Sequence, residues 1–131
     1  MYTLTILFNQ DMTQVLMCKN LKMKMVNFIG GVIKPLEDFM DASYRELEEE
    51  TGITRDDVKL NFLQTETHVL ADNNVASLYI TYGILNKDID VVTEKNPLIW
   101  VNDFSMMHKW GLDGDCAVYI NRALRFHNAS K

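Results

Sequence analysis

The chain has 131 residues, an apolar fraction of 47% and a formal net charge of −5. That length gives one domain, residues 1–131, with a sizeable core and no room for a second. The acidic balance argues against a broad nucleic-acid-binding face, which needs clustered Lys and Arg. The opening residues MYTLTILFNQD lack the basic start and cleavage site of a signal peptide, and no apolar run reaches membrane-spanning length. Cys18 and Cys116 stand far apart in no ligand spacing, so reduced thiols in a cytoplasmic protein are expected.

Tyr2 to Phe8 alternates polar and apolar residues, the pattern of a strand with one buried face. Asn9-Gln10-Asp11 makes a turn into a second short strand, Gln14 to Lys19. A basic, Met-rich connection, Lys22 to Asn27, leads into Phe28-Ile29-Gly30-Gly31. Asp38 is a good N-cap, with Asp41 three residues on to complete a capping-box-like pair. A helix is therefore expected from Asp38 to Thr51, stopped by a left-handed Gly52, with Met40, Tyr44 and Leu47 turned inward. Thr54 to Asp57 is a turn. Val58 to Leu70 and Val75 to Leu85 are two long strands around a hairpin turn, Ala71-Asp72-Asn73-Asn74. Leu98 to Val101 is a further short strand. Asp115 to Phe126 is an amphipathic helix with Val118, Asn121 and Arg125 on one side and Ala117, Ile120 and Leu124 on the other. This order predicts a mixed sheet between two helices.

The helix from Asp38 carries the chemistry. Glu46, Glu49 and Glu50 are related by three and four residues and so crowd one face. Three carboxylates on one stripe repel one another, a poor choice on structural grounds alone. A hard divalent cation removes the conflict, because Mg²⁺ prefers carboxylate oxygens, keeps waters and binds substrate phosphates. Arg45 is adjacent and can hold one carboxylate through its planar fork, with Glu37 reaching in from the preceding loop.

From Gly31 to Ile53 the chain reads G-x5-E-x7-R-E-U-x-E-E-x-G-U, where U is a bulky aliphatic residue. This stretch resembles the box of the Nudix hydrolase family without a departure. The resemblance implies an α/β/α sandwich, and the order of elements extends it over nearly the whole chain. It also implies a Mg²⁺-dependent enzyme, with Mn²⁺ able to substitute, that hydrolyses nucleoside diphosphates linked to another group. By the same resemblance Glu46, Glu49 and Glu50 are metal ligands, joined by the backbone carbonyl of Gly30. Arg45 and Glu37 support them, Gly31 and Gly52 shape the loop and helix end, and Glu48 fills the variable position. The stretch Thr93 to Trp100 is similar to a loop of MutT-type members in which a glutamate six residues before a tryptophan is a further ligand or base. That position here is Glu94, and Glu46 is favoured over it as the base.

Substrate choice is less legible. Phe28 matches a position that contacts the base in MutT-type enzymes, and is equally readable as a core residue. Lys19 ends the second strand where relatives carry phosphate-binding basic residues, although Cys18 departs from a double-basic pattern. Glu66 and His68 share a strand that can face the cleft, and Asn73, Asn74 and Asp115 are polar loop residues able to read base edges. No proline occurs between Gly52 and Asn96, which removes a marker of ADP-ribose hydrolases. Markers for NADH and coenzyme A substrates are absent too. By elimination the expected substrate is a nucleoside triphosphate, ordinary or oxidised, cleaved to a monophosphate and pyrophosphate. A nucleotide sugar or dinucleoside polyphosphate is the alternative, and a nucleotide sensor without turnover is a third reading. Monomer and homodimer stay open: Met23 to Phe28 and the Phe104-Met106-Met107-Trp110 stretch are candidate contacts or lids, with Gly111 to Gly114 as a hinge.

Overall fold

The computed structural model describes residues 1–20, 25–69, 72–88, 98–102 and 116–130, with the side chains of 19, 20, 25–27, 68 and 116 left aside. Among the described residues, seven strands, β1 (Tyr2–Phe8), β2 (Val15–Asn20), β3 (Met25–Asn27), β4 (Ile29–Val32), β5 (Val58–Val69), β6 (Val75–Leu85) and β7 (Leu98–Val101), form one sheet, and two helices flank it, α1 (Phe39–Thr51) and α2 (Cys116–Ala129). The sheet is mixed: β1 runs parallel to β6, and every other pairing is antiparallel. This is the expected α/β/α sandwich.

β6 pairs with the whole length of β1, from Tyr2↔Leu78 to Phe8↔Ile84. The other edge of β1 is therefore shared. Its first half pairs with β4, Tyr2↔Val32 to Thr5↔Ile29, and its end pairs with β2, Leu7↔Leu16 and Phe8↔Val15. Sharing one edge brings β4, and with it Gly30 and Gly31, beside the central strand and under α1.

Side-chain alternation sorts the core into two layers. Leu4, Ile6, Phe8, Leu78, Ile80 and Tyr82 face α2, where Tyr119, Ile120 and Ala123 meet them. Leu7, Leu16, Ile29, Val58, Leu60 and Leu85 face α1, where Leu47 is buried and Met40 and Tyr44 pack at the margin. β1 departs from the expected single buried face, since Thr3 and Thr5 are as buried as the residues between them. Their hydroxyls make this tolerable. Thr3 Oγ1 bonds Ser43 Oγ, and Thr5 Oγ1 bonds Thr81 Oγ1 at 3.2 Å.

Helix α1 ends as expected, with Gly52 at φ 79° and its N–H donated to the Glu48 carbonyl at 2.8 Å. Its start differs. Asp38 has the extended N-cap backbone but makes no side-chain cap bond, and Asp41 accepts from Arg55 at 2.6 Å instead of closing a capping box. The second helix begins within one residue of its expected start and runs on to Ala129, with Ile120 buried and Val118 exposed. Tyr119 and Ala123 join the buried face, because the stripe facing the sheet is wider than an Ala117-Ile120-Leu124 line. Among the described residues, no helix is long and apolar enough to cross a membrane.

Candidate metal and phosphate site

A tight turn sets up the site. Glu37 N–H donates to the Lys34 carbonyl at 3.1 Å, and Leu36, at the third position of that turn, has φ 65°. Pro35 before a left-handed residue is the type II pattern, in which glycine is the usual third residue. The turn folds Glu37 back toward α1. Its Oε1 accepts the Lys34 N–H at 3.1 Å, and its two oxygens receive Arg45 Nε at 2.8 Å and Nη2 at 3.0 Å. Paired first with the Arg45 guanidinium and then with the Lys34 amide, the Glu37 carboxyl is held down at about 2. The same bonds raise Arg45 above its ordinary range.

Arg45 thereby becomes a fixed centre. Nη2 also donates to the Val32 carbonyl at 3.0 Å, tying α1 to the end of β4. Nη1 reaches Glu46 Oε1 at 3.0 Å and Glu49 Oε2 at 3.3 Å. Glu46 is largely shielded, with 15% of its side chain exposed, whereas Glu49 is half exposed. Glu50 takes a different donor, the Gly30 N–H, at 3.1 Å. Gly31 has a specific reason to lack a side chain: a Cβ there would lie 2.4 Å from Glu46 Oε1. Gly30 answers to the backbone, since its Cβ would meet the Thr3 carbonyl oxygen at 2.0 Å.

Among the described residues, no three acidic, His or Cys side chains already stand as a closed metal shell. Each carboxylate has a hydrogen-bond donor, Arg45 for two of them and the Gly30 amide for the third. The residues nevertheless fit a hard divalent ion. Their donors are all carboxylate oxygens, they lie on one helix face beside a glycine cradle, and each present partner is a donor that a cation replaces.

Phe28 is 3% exposed and packs in the α2-side core. Glu66 accepts from Arg122 at 3.0 Å. Asn73 and Asn74 form the exposed hairpin turn with Asp72. Cys18 is a free thiol, and burial, reinforced by the charge of Glu50, pushes it up to about 12, so it stays protonated at neutral pH. Lys19 lies on β2 with its side chain outside the described set. Glu94, Asp115 and the 104–114 stretch fall outside the described residues. Sequence reading missed Thr3 and Ser43, whose only signal is a pair of small residues, Ala42-Ser43, on the inward side of the helix.

The chain thus places a Glu-rich helix over a paired glycine strand at the side of a mixed sheet. The NUDIX domain family matches residues 2–98, and the chain belongs to that family. It is a Nudix hydrolase, a pyrophosphohydrolase, and enzymes of this family generally use a divalent metal. Solved structures share the fold. An Ap4A hydrolase of C. elegans superposes with a TM-score of 0.76 at 15% identity, covering 98% of this chain and 99% of that one. The dihydroneopterin triphosphate pyrophosphohydrolase of E. coli gives 0.75 at 14%, covering 92% and 94%. The MutT protein of Methanosarcina mazei Go1 gives 0.64 at 17%, covering 99% and 94%. A search of curated proteins returned no match.

Proposed function

We propose that the protein is a Mg²⁺-dependent pyrophosphohydrolase of nucleoside triphosphates, ordinary or oxidised, releasing a nucleoside monophosphate and pyrophosphate. The observation that carries this reading is the carboxylate face of α1 laid against the glycine strand, with Glu46 and Glu49 held by Arg45 and Glu50 by the Gly30 amide. These three carboxylates, with the Gly30 carbonyl, would hold the metal. A bound divalent ion supplies charge neutralisation at the phosphates and activation of water.

This chain's own groups do the rest. Arg45, clamped by Glu37, fixes the direction of Glu46. Glu46 accepts the proton from the attacking water, since its carboxylate is shielded and aimed by two contacts. Glu94 remains a candidate for an added ligand or base, and Lys19 a candidate phosphate contact. The attack splits one P–O–P linkage, the water oxygen bonding to phosphorus as the bridging oxygen leaves with the other phosphate.

Support for a triphosphate comes from the compact chain and from the name of one of the proteins it resembles, the dihydroneopterin triphosphate pyrophosphohydrolase. Full-length similarity to an Ap4A hydrolase favours a dinucleoside polyphosphate as the second reading. The intact set of box carboxylates weighs against a sensor without turnover. A hydrolysis screen with Mg²⁺ and Mn²⁺ over common NTPs and dNTPs, an oxidised dGTP, ADP-ribose, a nucleotide sugar and Ap4A tests this. Pyrophosphate release from one triphosphate is the expected outcome. Turnover confined to a diphosphate-linked compound would overturn the substrate, and binding without turnover would overturn the activity.

A further inference from the structure

We propose that Thr3 and Ser43 are positioning residues, a buried hydrogen-bonded pin that sets the register of α1 over the glycine strand and so aims Glu46 and Glu50. The proposal rests on the metal-site reading above. Both side chains are fully buried, at 0% exposure, and their hydroxyls bond each other across the helix–sheet contact. Direction follows from the proton count. Ser43 Oγ donates to the Phe39 carbonyl at 2.9 Å, so its only proton is committed and Thr3 must be the donor of the pair.

The placement of the pin is what links it to the site. Thr3 is the register partner of Gly31 on β4, and its own carbonyl oxygen is the atom that forbids a side chain on Gly30. Ser43 lies one helical turn before Glu46, on the same side of α1. Thus the Thr3–Ser43 bond and the contact of Glu46 with Gly31 are successive rungs of one helix-on-strand contact. The apolar neighbours Ala42 and Leu47 hold α1 down, but apolar burial is non-directional and tolerates a slide. The hydrogen bond does not. A slide of α1 would push Glu46 off Gly31 and draw Glu50 away from the Gly30 amide.

The test uses the full chain with Thr3→Val, which keeps shape but removes the donor, and Thr3→Ser, which keeps the donor. Ser43→Ala is a second removal, in case the first fails to fold. Two readouts are taken: exchange of the Gly30 amide proton by NMR in metal-free protein, and Mn²⁺ affinity from the EPR signal of free Mn²⁺. Thr3→Val and Ser43→Ala should each speed Gly30 exchange and weaken Mn²⁺ about tenfold, the low end for loss of a supporting partner. Thr3→Ser should sit near wild type in both. Unchanged Gly30 exchange in Thr3→Val would overturn the pin, as would equal Mn²⁺ weakening in Thr3→Ser. Absence of Mn²⁺ binding in the wild type would instead overturn the metal-site reading, and Gly30 exchange would still decide whether the pin holds Glu50.

Discussion

Gly30 and Gly31 are neighbours on β4, yet a methyl group added at each meets different matter. Neither has a left-handed backbone, so alanine is conformationally acceptable at both. At Gly31 the obstacle is the end of a flexible side chain, the Glu46 carboxylate, which can swing aside. Gly31→Ala is therefore expected to unfold no more easily than wild type, with the usual gain of about 0.4–1 kcal/mol from a stiffer unfolded chain available. Its kcat/KM should fall roughly 10–100-fold because the carboxylate is displaced. At Gly30 the obstacle is the Thr3 carbonyl, which cannot move without moving β1. Gly30→Ala should lose about 1–3 kcal/mol. Urea melts beside steady-state kinetics would separate the two, and a Gly31→Ala enzyme of full activity would remove Glu46 from the site. Glu37 makes a second residue-level prediction. Its carboxyl is depressed in the fold from 4.5 to about 2, so the folded state binds this proton less tightly than the unfolded chain. The stabilisation is present above about pH 4.5 and is lost as pH falls toward about 2. Glu37→Gln should be less stable than wild type at neutral pH, with the gap closing through that window. A gap that stays constant from pH 6 to 2 would mean that the Arg45 clamp does not act through charge.

At the level of elements, α1 is tied to the sheet by more than its core face. Tyr44 Oη accepts the Leu60 N–H at 2.8 Å, and β5 is the last strand of the sheet, with a register shift between Phe62 and Gln64. A bare edge N–H is both a cost and an invitation to pair with another strand. Tyr44→Phe should lower stability by about 0.5–1.5 kcal/mol and speed exchange at Leu60, while leaving Mn²⁺ affinity unchanged. A protected Leu60 amide in that variant would show that water or another group serves equally. These ties also mark what was legible in the chain. The position of α1, its Gly52 stop and the span of β7 followed from spacing and turn chemistry, which are local. The carboxylate face and its Arg45 clamp were legible for the same reason. The two-sided burial of β1 was not, because Thr3 and Thr5 become core residues only when Ser43 and Thr81, far along the chain, supply partners. Asp38 looked like a capping side chain, but Asp41, its return partner, was taken by Arg55 across the next turn. The burial of Phe28 was not legible either: its position relative to the box is local, while its place in the core depends on residues far along the chain.

For the molecule as a whole, charge is the quantity that metal changes. The chain carries −5, and three of its carboxylates lie along one face of α1, two bonded to Arg45 and the third to a backbone amide. A divalent cation that binds only the folded corner must stabilise the fold by mass action, about 2.7 kcal/mol when the free metal stands at 100 times Kd. For a domain of this size that corresponds to a rise in Tm of roughly 10 °C. General screening by salt would also relieve repulsion, so the comparison is Mg²⁺ or Mn²⁺ against NaCl at matched ionic strength. The informative variant is Glu50→Gln. Its amide oxygen can still accept the Gly30 N–H, so the bond that seats residue 50 survives while the charge goes. Metal should then raise Tm far less than in wild type, and EDTA should reverse the wild-type rise completely. A rise of equal size in Glu50→Gln, or one matched by NaCl, would place the cation elsewhere on the acidic surface and detach the three glutamates from the chemistry assigned to them.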